Sequence, residues 1–167
     1  MKKLIILAFI ALPLSAFAQQ KFAHVNIDAI VAVMPEYTAA NTEVQKLYKQ
    51  YQDELQRMQD EWKTKLEDYQ QNGEALPEPA KQRRVQELED LQKRFNQYQQ
   101  TAEEDVANLR QTKLMEISEK VGKAVKEVGD TGGYVYIMDI SNGVVPYINE
   151  TLSTDVTDQV KAKLNIK

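Results

Sequence analysis

The chain has 167 residues with 21 basic and 25 acidic side chains, a balance that argues against nucleic acid as a partner, because phosphate binders carry a basic field. The absence of cysteine excludes disulfides, thiolate metal sites and a lipid-modified cysteine. Six glycines and five prolines beside abundant Gln, Glu and Lys indicate an extended chain.

Residues 1–18 predict a secretory signal peptide. Lys2 and Lys3 precede an apolar run from residue 4 to 14, and Ala16-Phe17-Ala18 has the small-x-small pattern of a cleavage site. We therefore expect an exported protein whose mature form begins at Gln19. The alternative is an uncleaved anchor, but the run is shorter than the roughly 20 residues of a membrane span. No later segment is longer, so we expect no stable membrane insertion.

Residues 19–35 predict the first strand and turn of a small base. Between Phe22 and Ile30, large apolar residues alternate with small or polar ones, which is typical of a strand. Pro35 followed by Glu36 then predicts the first turn of a helix.

Residues 36–128 predict two long helices joined by a turn at 72–79, the only cluster of strong helix breakers in this region. Apolar residues recur every third or fourth position along each helix, which predicts an antiparallel coiled-coil hairpin. The first seam is Val44, Tyr48, Tyr51, Leu55, Met58, Trp62, Leu66 and Tyr69. The second is Val85, Leu88, Leu91, Phe95, Tyr98, Ala102, Val106, Leu109, Leu114, Ile117, Val121, Ala124 and Val128.

Residues 129–167 predict a β-hairpin and a short helix. The apolar runs 134–140 and 144–148 flank Asn142-Gly143, a strong hairpin signal, and Pro146 places the second run at a sheet edge. Residues 155–164 form an amphipathic pattern with Asp or Thr available as a cap. The predicted class is α+β, a long antiparallel coiled-coil hairpin projecting from a small β-containing base. Because so small a sheet is barely stable alone, we expect the base to oligomerise.

Catalytic signals are weak, and we expect no enzyme activity, cofactor or metal. His24 is the only histidine, and on a predicted strand it indicates a partly buried structural residue. Neighbouring acids such as Glu103 and Glu104 do not face each other on a helix and are expected in solvent. Gly132-Gly133 ends a helix instead of opening one, so no phosphate loop is present.

Aromatic residues on the predicted arms are unusual, because a structural coiled coil favours Leu, Ile and Val. They are either seam residues or, with Met34, Met58 and Met115, an adaptable surface for varied or unfolded partners. The candidate client-binding residues are Tyr48, Tyr51, Met58, Trp62, Tyr69, Phe95 and Tyr98. A small basic cluster beside the turn, Lys81, Arg83 and Arg84, is either a solvated helix start or a contact site.

The chain resembles the periplasmic chaperone family known as Skp or OmpH-like, in the form found in Bacteroidetes. The resemblance is carried by the signal peptide, the segments Phe22–Asp28 and Met34–Tyr37, the long hairpin, Gly133-Tyr134, and Asp155-Val156-Thr157 with Val160 and Leu164. It covers the whole mature chain.

The resemblance implies a homotrimer whose small β-rich bodies join in a hub, with three arms enclosing unfolded outer-membrane proteins without ATP. It implies hub positions for Val25, Ile27, Val135 and Ile137, and a lipopolysaccharide contact at Lys81, Arg83 and Arg84. Well-studied members are strongly basic, whereas this chain is acidic. On the basis of the resemblance, we interpret the protein as an ATP-independent periplasmic holdase for unfolded outer-membrane β-barrel proteins. The alternative is a structural or adaptor coiled-coil protein of the cell envelope.

Overall fold

The structure is a computed structural model that describes residues 20–166. These residues form two compact units, which we name the base unit (20–32 with 121–166) and the hairpin unit (33–120). The predicted α+β class is confirmed, because two long helices and a small sheet are both present. The predicted signal peptide and the alternative of an uncleaved anchor lie outside the described residues.

The N-terminal segment contains a strand and a helix where the alternating pattern predicts a strand alone. Strand β1 is Lys21–Val25 and helix α1 is Ile27–Val31. The side chain of Asn26 accepts a hydrogen bond from the backbone N–H of Ala29 at 2.9 Å, which is the bond of a helix N-cap. This cap ends the strand at Val25, so the prediction that Ile27 lies in a strand is wrong.

The two predicted long helices are confirmed. Helix α2 is Pro35–Asn72, a short 3₁₀ helix is Gly73–Ala75, and helix α3 is Glu78–Gly132. Gly73 is buried against the ring of Tyr69, and a Cβ there would lie 3.0 Å from that ring, so a larger residue would make the ring shift by a few tenths of an ångström. Helix α3 continues past the predicted end at residue 128, and Gly133 ends it with φ of +66°.

The C-terminal segment departs from the predicted β-hairpin. Strand β2 is Tyr134–Asp139, as predicted, but strand β3 is Ser153–Asp155 and residues 144–148 form no strand. The Asp139 carboxylate accepts hydrogen bonds from the backbone and side chain of Ser141, which stops β2 in a tight turn. Residues 144–148 then serve as part of the connection to β3, so Pro146 does not lie in an edge strand. Helix α4, Thr157–Lys163, follows as predicted.

The sheet has the order β2-β1-β3, and both neighbours run parallel to β1. A two-residue turn such as Asn-Gly joins antiparallel strands, whereas parallel strands need a longer crossover connection. A strand placed directly after this turn would therefore run antiparallel to β2 and could not be a parallel neighbour of β1. A register shift beside Lys21 leaves Val135 opposite no residue of β1, as in a β-bulge. The central strand is therefore completed by two segments from the other end of the chain.

Each unit has its own buried apolar set. In the base unit it joins the sheet, α1, α4 and the end of α3, and comprises Ala23, Val25, Ile30, Val121, Ala124, Val128, Val156 and Val160. In the hairpin unit it is sparse, comprising Met34, Ala40, Val44, Leu91, Ala102 and Ile117. The predicted seams are thus buried only in part, and Tyr48, Val85 and Leu114 are exposed.

Candidate functional site

Polar contacts between α2 and residues 78–120 of α3, which we call the two arms, establish an antiparallel hairpin. Lys65 binds Glu87 near the turn, Tyr51 binds Asp105 in the middle, and the ion pairs Glu43–Lys113 and Glu36–Lys120 follow farther away. The Glu43–Lys113 distance is 2.9 Å. Exposed pairs of this kind contribute little to stability. Their main effect is therefore to fix the register of the arms.

These contacts between the arms also shift the pKa values of the side chains that form them. The hydrogen bond from Lys120 holds the pKa of Glu36 below its usual value, and the hydrogen bond to Glu43 raises the pKa of Lys113. The hydrogen bond that Tyr51 donates to the Asp105 carboxylate raises the pKa of Tyr51. Each shift favours the protonation state that links the two arms near neutral pH.

An apolar groove of about 910 Å³ lies between the arms in the half of the hairpin away from the turn. We call it the arm groove and define it by its large apolar residues, Tyr48, Tyr51, Leu55, Phe95, Leu114 and Met115. The lining also includes small side chains of α3, among them Ala102, Ala107 and Ser118. Small side chains among large aromatic ones leave a space that the arms do not fill.

The walls of the arm groove are accessible. Tyr48 is 53% exposed, Leu114 46% and Met115 56%. Large apolar side chains in one contiguous concave surface are typical of a binding site, whereas scattered ones need no explanation. The hairpin therefore presents an apolar surface that its own seam does not bury.

The remaining predicted arm residues lie beside this groove or toward the turn. The ring of Tyr98 contacts Tyr51 edge to face, with centroids 5.4 Å apart. Met58 and Trp62 line a second depression of about 210 Å³, which shares Phe95 with the arm groove. Tyr69 packs on Gly73 at the turn. The structure thus brings Tyr48, Tyr51 and Phe95 together, places Met58 and Trp62 next to them, and separates Tyr69.

Sequence reasoning missed part of this site. The prediction that Met34 offers an adaptable surface is wrong, because its side chain is buried. Leu114 was assigned to the seam but lines the groove, and the polar lining residue Arg110 was not singled out. The small residues at 102, 107 and 118, at seam or seam-flanking positions, are the signal that a groove opens there.

The predicted hub residues have different environments in the base unit. Val25 is fully buried in the core of its own chain, Ile27 and Ile137 are half-buried, and Val135 is exposed at the bulge. His24 is buried, as predicted, and its Nδ1 lies 2.9 Å from the Ser153 hydroxyl. Only Val135 is therefore positioned to meet another molecule without rearrangement.

One face of the sheet exposes large apolar side chains. Phe22 and Tyr136 stack with centroids 6.2 Å apart, and with parts of the connection between β2 and β3 they line a depression of about 260 Å³. We call this face the base surface and define it by Phe22, Tyr136, Met138, Tyr147 and Leu152, all of them exposed. It is the main uncovered apolar surface of the base unit.

The basic cluster beside the turn is partly neutralised. Arg84 binds Glu87 at 3.1 Å, and Glu87 also binds Lys65, so the two cations hold the pKa of Glu87 below its usual value. Arg83 is exposed and Lys81 half-buried. Across residues 20–166 there is no cluster of three potential metal ligands, and none of the helices described is long and apolar enough to cross a membrane.

Fold and groove together define a class: an α+β protein with a small parallel sheet and a long helical hairpin that carries an apolar groove. The sequence profile of the family described as "Outer membrane protein (OmpH-like)" matches residues 21–164. The chain belongs to this OmpH-like family.

Individual relatives agree with that assignment. The chaperone protein Skp of Yersinia enterocolitica is 26% identical over 164 residues, covering 96% of this chain and 100% of the relative. The Skp of Vibrio cholerae is 24% identical over 158 residues, covering 95% and 94%. A crystal structure from Caulobacter crescentus, described as an outer membrane chaperone (OmpH-like), has a TM-score of 0.75 at 15% identity and covers 89% and 85%, which shows a shared fold. These relatives favour the chaperone interpretation over the structural adaptor.

Proposed function

We propose that this protein is an ATP-independent holdase chaperone of the periplasm that binds unfolded outer-membrane β-barrel proteins and prevents their aggregation. The observation that carries the proposal is the arm groove, a large accessible apolar surface on the hairpin. Tyrosine and methionine side chains there adapt to varied sequences, which suits a partner without a fixed structure. The relatives named chaperone protein Skp support the same activity.

The absence of a nucleotide requirement is supported by the sequence, which has no glycine-rich phosphate loop. Its only adjacent glycines, Gly132 and Gly133, end α3. The periplasmic location is supported by the signal-peptide pattern of residues 1–18. The choice of outer-membrane proteins as clients rests on membership of the OmpH-like family and on the relatives named chaperone protein Skp.

The working form is a homotrimer in this proposal, with the base surface buried between subunits. Tyr136 is 59% exposed beside Phe22 and Met138, and a folded monomer would leave this apolar face in water. Each sheet also has two edge strands, β2 and β3, with unpaired backbone groups that another chain can satisfy. A three-stranded sheet gains stability from such association.

The holdase activity is tested by diluting a urea-denatured outer-membrane barrel protein into buffer without ATP and following light scattering. Protein starting at Gln19 should suppress scattering at a stoichiometric excess of trimer, whereas an unrelated acidic coiled coil of similar length should not. The captured client should elute with the chaperone on size exclusion and should fold when detergent micelles are added. Unchanged scattering at tenfold excess of the chaperone would reject the proposed function.

A further inference from the structure

The arm groove contains one charged side chain for which the structure gives no partner. Two charged residues line it, Glu103 and Arg110. The Glu103 carboxylate accepts a hydrogen bond from Gln99 at 3.1 Å. Within residues 20–166, no hydrogen bond or ion pair is found for Arg110. The Arg110 guanidinium is exposed to solvent, and of the two charged groups in the described groove lining it is the one without a protein partner.

The sequence explains why Arg110 is unpaired. Residues three and four positions away on a helix are its neighbours, and here they are Val106, Ala107, Lys113 and Leu114. None is acidic, and Lys113 is itself paired with Glu43 on the other arm. An arginine at this position is thus presented to the groove without a carboxylate from its own chain.

The size of the groove indicates what occupies it. Its lining on α3 runs from Phe95 to Ser118, which corresponds to about 35 Å along a helix. An extended peptide rises about 3.3 Å per residue, so roughly ten residues match that length. Alternate side chains of such a peptide point to one side, where apolar residues meet the aromatic walls.

Polar groups in the lining favour a peptide over a lipid chain. Gln52, Gln99 and Gln111 line the same groove, and their amides provide both donors and acceptors. A peptide backbone uses such groups along its whole length, whereas an acyl chain leaves them without partners. The groove is therefore complementary to a peptide that is apolar on one side and carries a carboxylate on that side. The apolar walls, the amides and the single cation would each contact one of its features.

We propose that the arm groove binds an extended segment of an unfolded chain in which apolar side chains flank an Asp or Glu, and that Arg110 binds that carboxylate. This inference rests on the proposed holdase function and adds a sequence preference to it. Arginine binds carboxylates through two parallel hydrogen bonds, and apolar walls reduce solvent screening of the pair. The preference selects among client segments and leaves general apolar holding intact.

The test measures binding of two labelled ten-residue peptides to the full mature protein by fluorescence anisotropy. Both peptides alternate apolar and small polar residues, and they differ only in a central Glu or Gln on the apolar side. Wild-type protein should bind the Glu peptide roughly fivefold to tenfold more tightly, a preference that 1 M salt should reduce. Arg110→Gln should bind both equally, while Arg94→Gln, an exposed cation of α3 outside the groove lining, should keep the preference.

Charge reversal provides a second readout. Arg110→Glu should bind a peptide with a central Lys more tightly than the Glu peptide. Equal binding of the Glu and Gln peptides by wild type, or a preference that survives in Arg110→Gln, would overturn the inference. Two further outcomes would overturn the inference in a protein that still holds a denatured client. One is that neither peptide binds, and the other is that only a fatty acid displaces the bound peptides. Loss of client holding itself would instead reject the proposed function.

Discussion

Tyr51 on α2 donates its phenolic hydrogen to the carboxylate of Asp105 on α3, so a wall residue of the arm groove is also a link between the arms. Its ring meets Tyr98 at an interplanar angle of 63°. The two contacts restrict the orientation of a ring that lines the groove. Binding surface and hairpin stability therefore depend on the same side chain.

The Tyr51–Asp105 bond predicts a loss of stability at alkaline pH. Because the carboxylate raises the pKa of Tyr51 in the folded state, the stabilisation is complete below the ordinary tyrosine pKa of about 10 and is lost as pH rises through the folded value. Tyr51→Phe should flatten this part of the stability profile, measured by urea unfolding between pH 8 and 11. Tyr147→Phe, whose hydroxyl makes no hydrogen bond in the described chain, should keep the wild-type profile. Identical profiles for the two variants would contradict the prediction.

Client binding should depend more on aromatic residues than on the basic cluster. The triple variant Tyr51→Ala, Trp62→Ala and Tyr98→Ala removes three rings that together are worth about 1.5–4 kcal/mol, so affinity should fall roughly tenfold to several hundredfold. The double variant Arg83→Gln and Arg84→Gln should change it less than threefold. Titration of a labelled denatured client measures both.

Salt provides an independent check of that mechanism. At 1 M salt the Debye length is about 3 Å, and a complex built on long-range charge attraction would dissociate. Without the expected signal peptide, which contains Lys2 and Lys3, the chain has 25 acidic and 19 basic residues and a net charge of −6, with both signs mixed along the arms. Client binding should therefore weaken only modestly. If salt released the client from the wild type while the triple variant still held the client, electrostatic capture would be established instead.

The two sides of β2 should respond differently to mutation. Tyr136 lies on the base surface, so Tyr136→Ser with Met138→Ser should abolish the proposed trimer while each base unit stays folded. Ile137 is half-buried near Gly129 of α3, and Ile137→Asp should unfold the base unit, because an unpaired buried charge costs several kcal/mol. Light scattering and circular dichroism separate the two outcomes. A trimer that persists without Tyr136 and Met138 would show that the base surface is not the interface.

A matched pair of valines tests the core of the base unit. Val160 on α4 is 0% exposed and Val144 is 80% exposed. Val160→Ala should destabilise the protein by roughly 1–3 kcal/mol, because lost methyl groups leave a cavity, whereas Val144→Ala should stay within about 0.5 kcal/mol of the wild type. Thermal and urea unfolding followed by circular dichroism measure both. Equal effects would mean that α4 does not pack as described.

Asp139 should contribute an acid-dependent part of the stability. Burial raises its pKa, but hydrogen bonds from Ser141 and from the backbone of Ile27 outweigh this and hold the pKa below the usual value. The stabilisation is thus present above the unfolded pKa of about 3.9 and is lost as pH falls through the folded value. Asp139→Asn should flatten the loss of stability between pH 6 and 2 and cost about 1 kcal/mol at neutral pH. Asp158→Asn, at an exposed site, should do neither.

The helices were predictable because their signals are local. Apolar spacing, Pro35 at the start of α2 and the breakers at 72–79 act within a few residues, and the structure follows them. The sheet was less predictable because its partners are distant in sequence. The Asn142-Gly143 signal correctly marks a turn, with Gly143 at φ of +65°, but no local pattern says that β1 is already flanked by β2 and takes Ser153–Asp155 as its other neighbour.

The candidate site was predictable in residue type but not in arrangement. Aromatic residues on the seam indicated an adaptable surface, and Tyr48, Tyr51 and Phe95 do line one groove. Which seam positions open into that groove depends on the pairing of the arms, because residues of both α2 and α3 line it. That pairing is set by contacts between helices, such as Tyr51 with Asp105, that a single helical pattern does not contain.

The parallel pairing of β1 has a consequence for the order in which the chain folds. Lys21 pairs with Tyr134, so the central strand is synthesised first and waits for its neighbours until more than a hundred further residues have followed. Closure of the hairpin needs only contacts within residues 33–120. Once formed, the hairpin shortens the effective loop between β1 and β2, which lowers the entropy cost of pairing these strands. During that interval β1 exposes Phe22 and its unpaired backbone. A nascent chain of this protein is therefore, for a short time, an aggregation-prone polypeptide of the kind that we propose it protects.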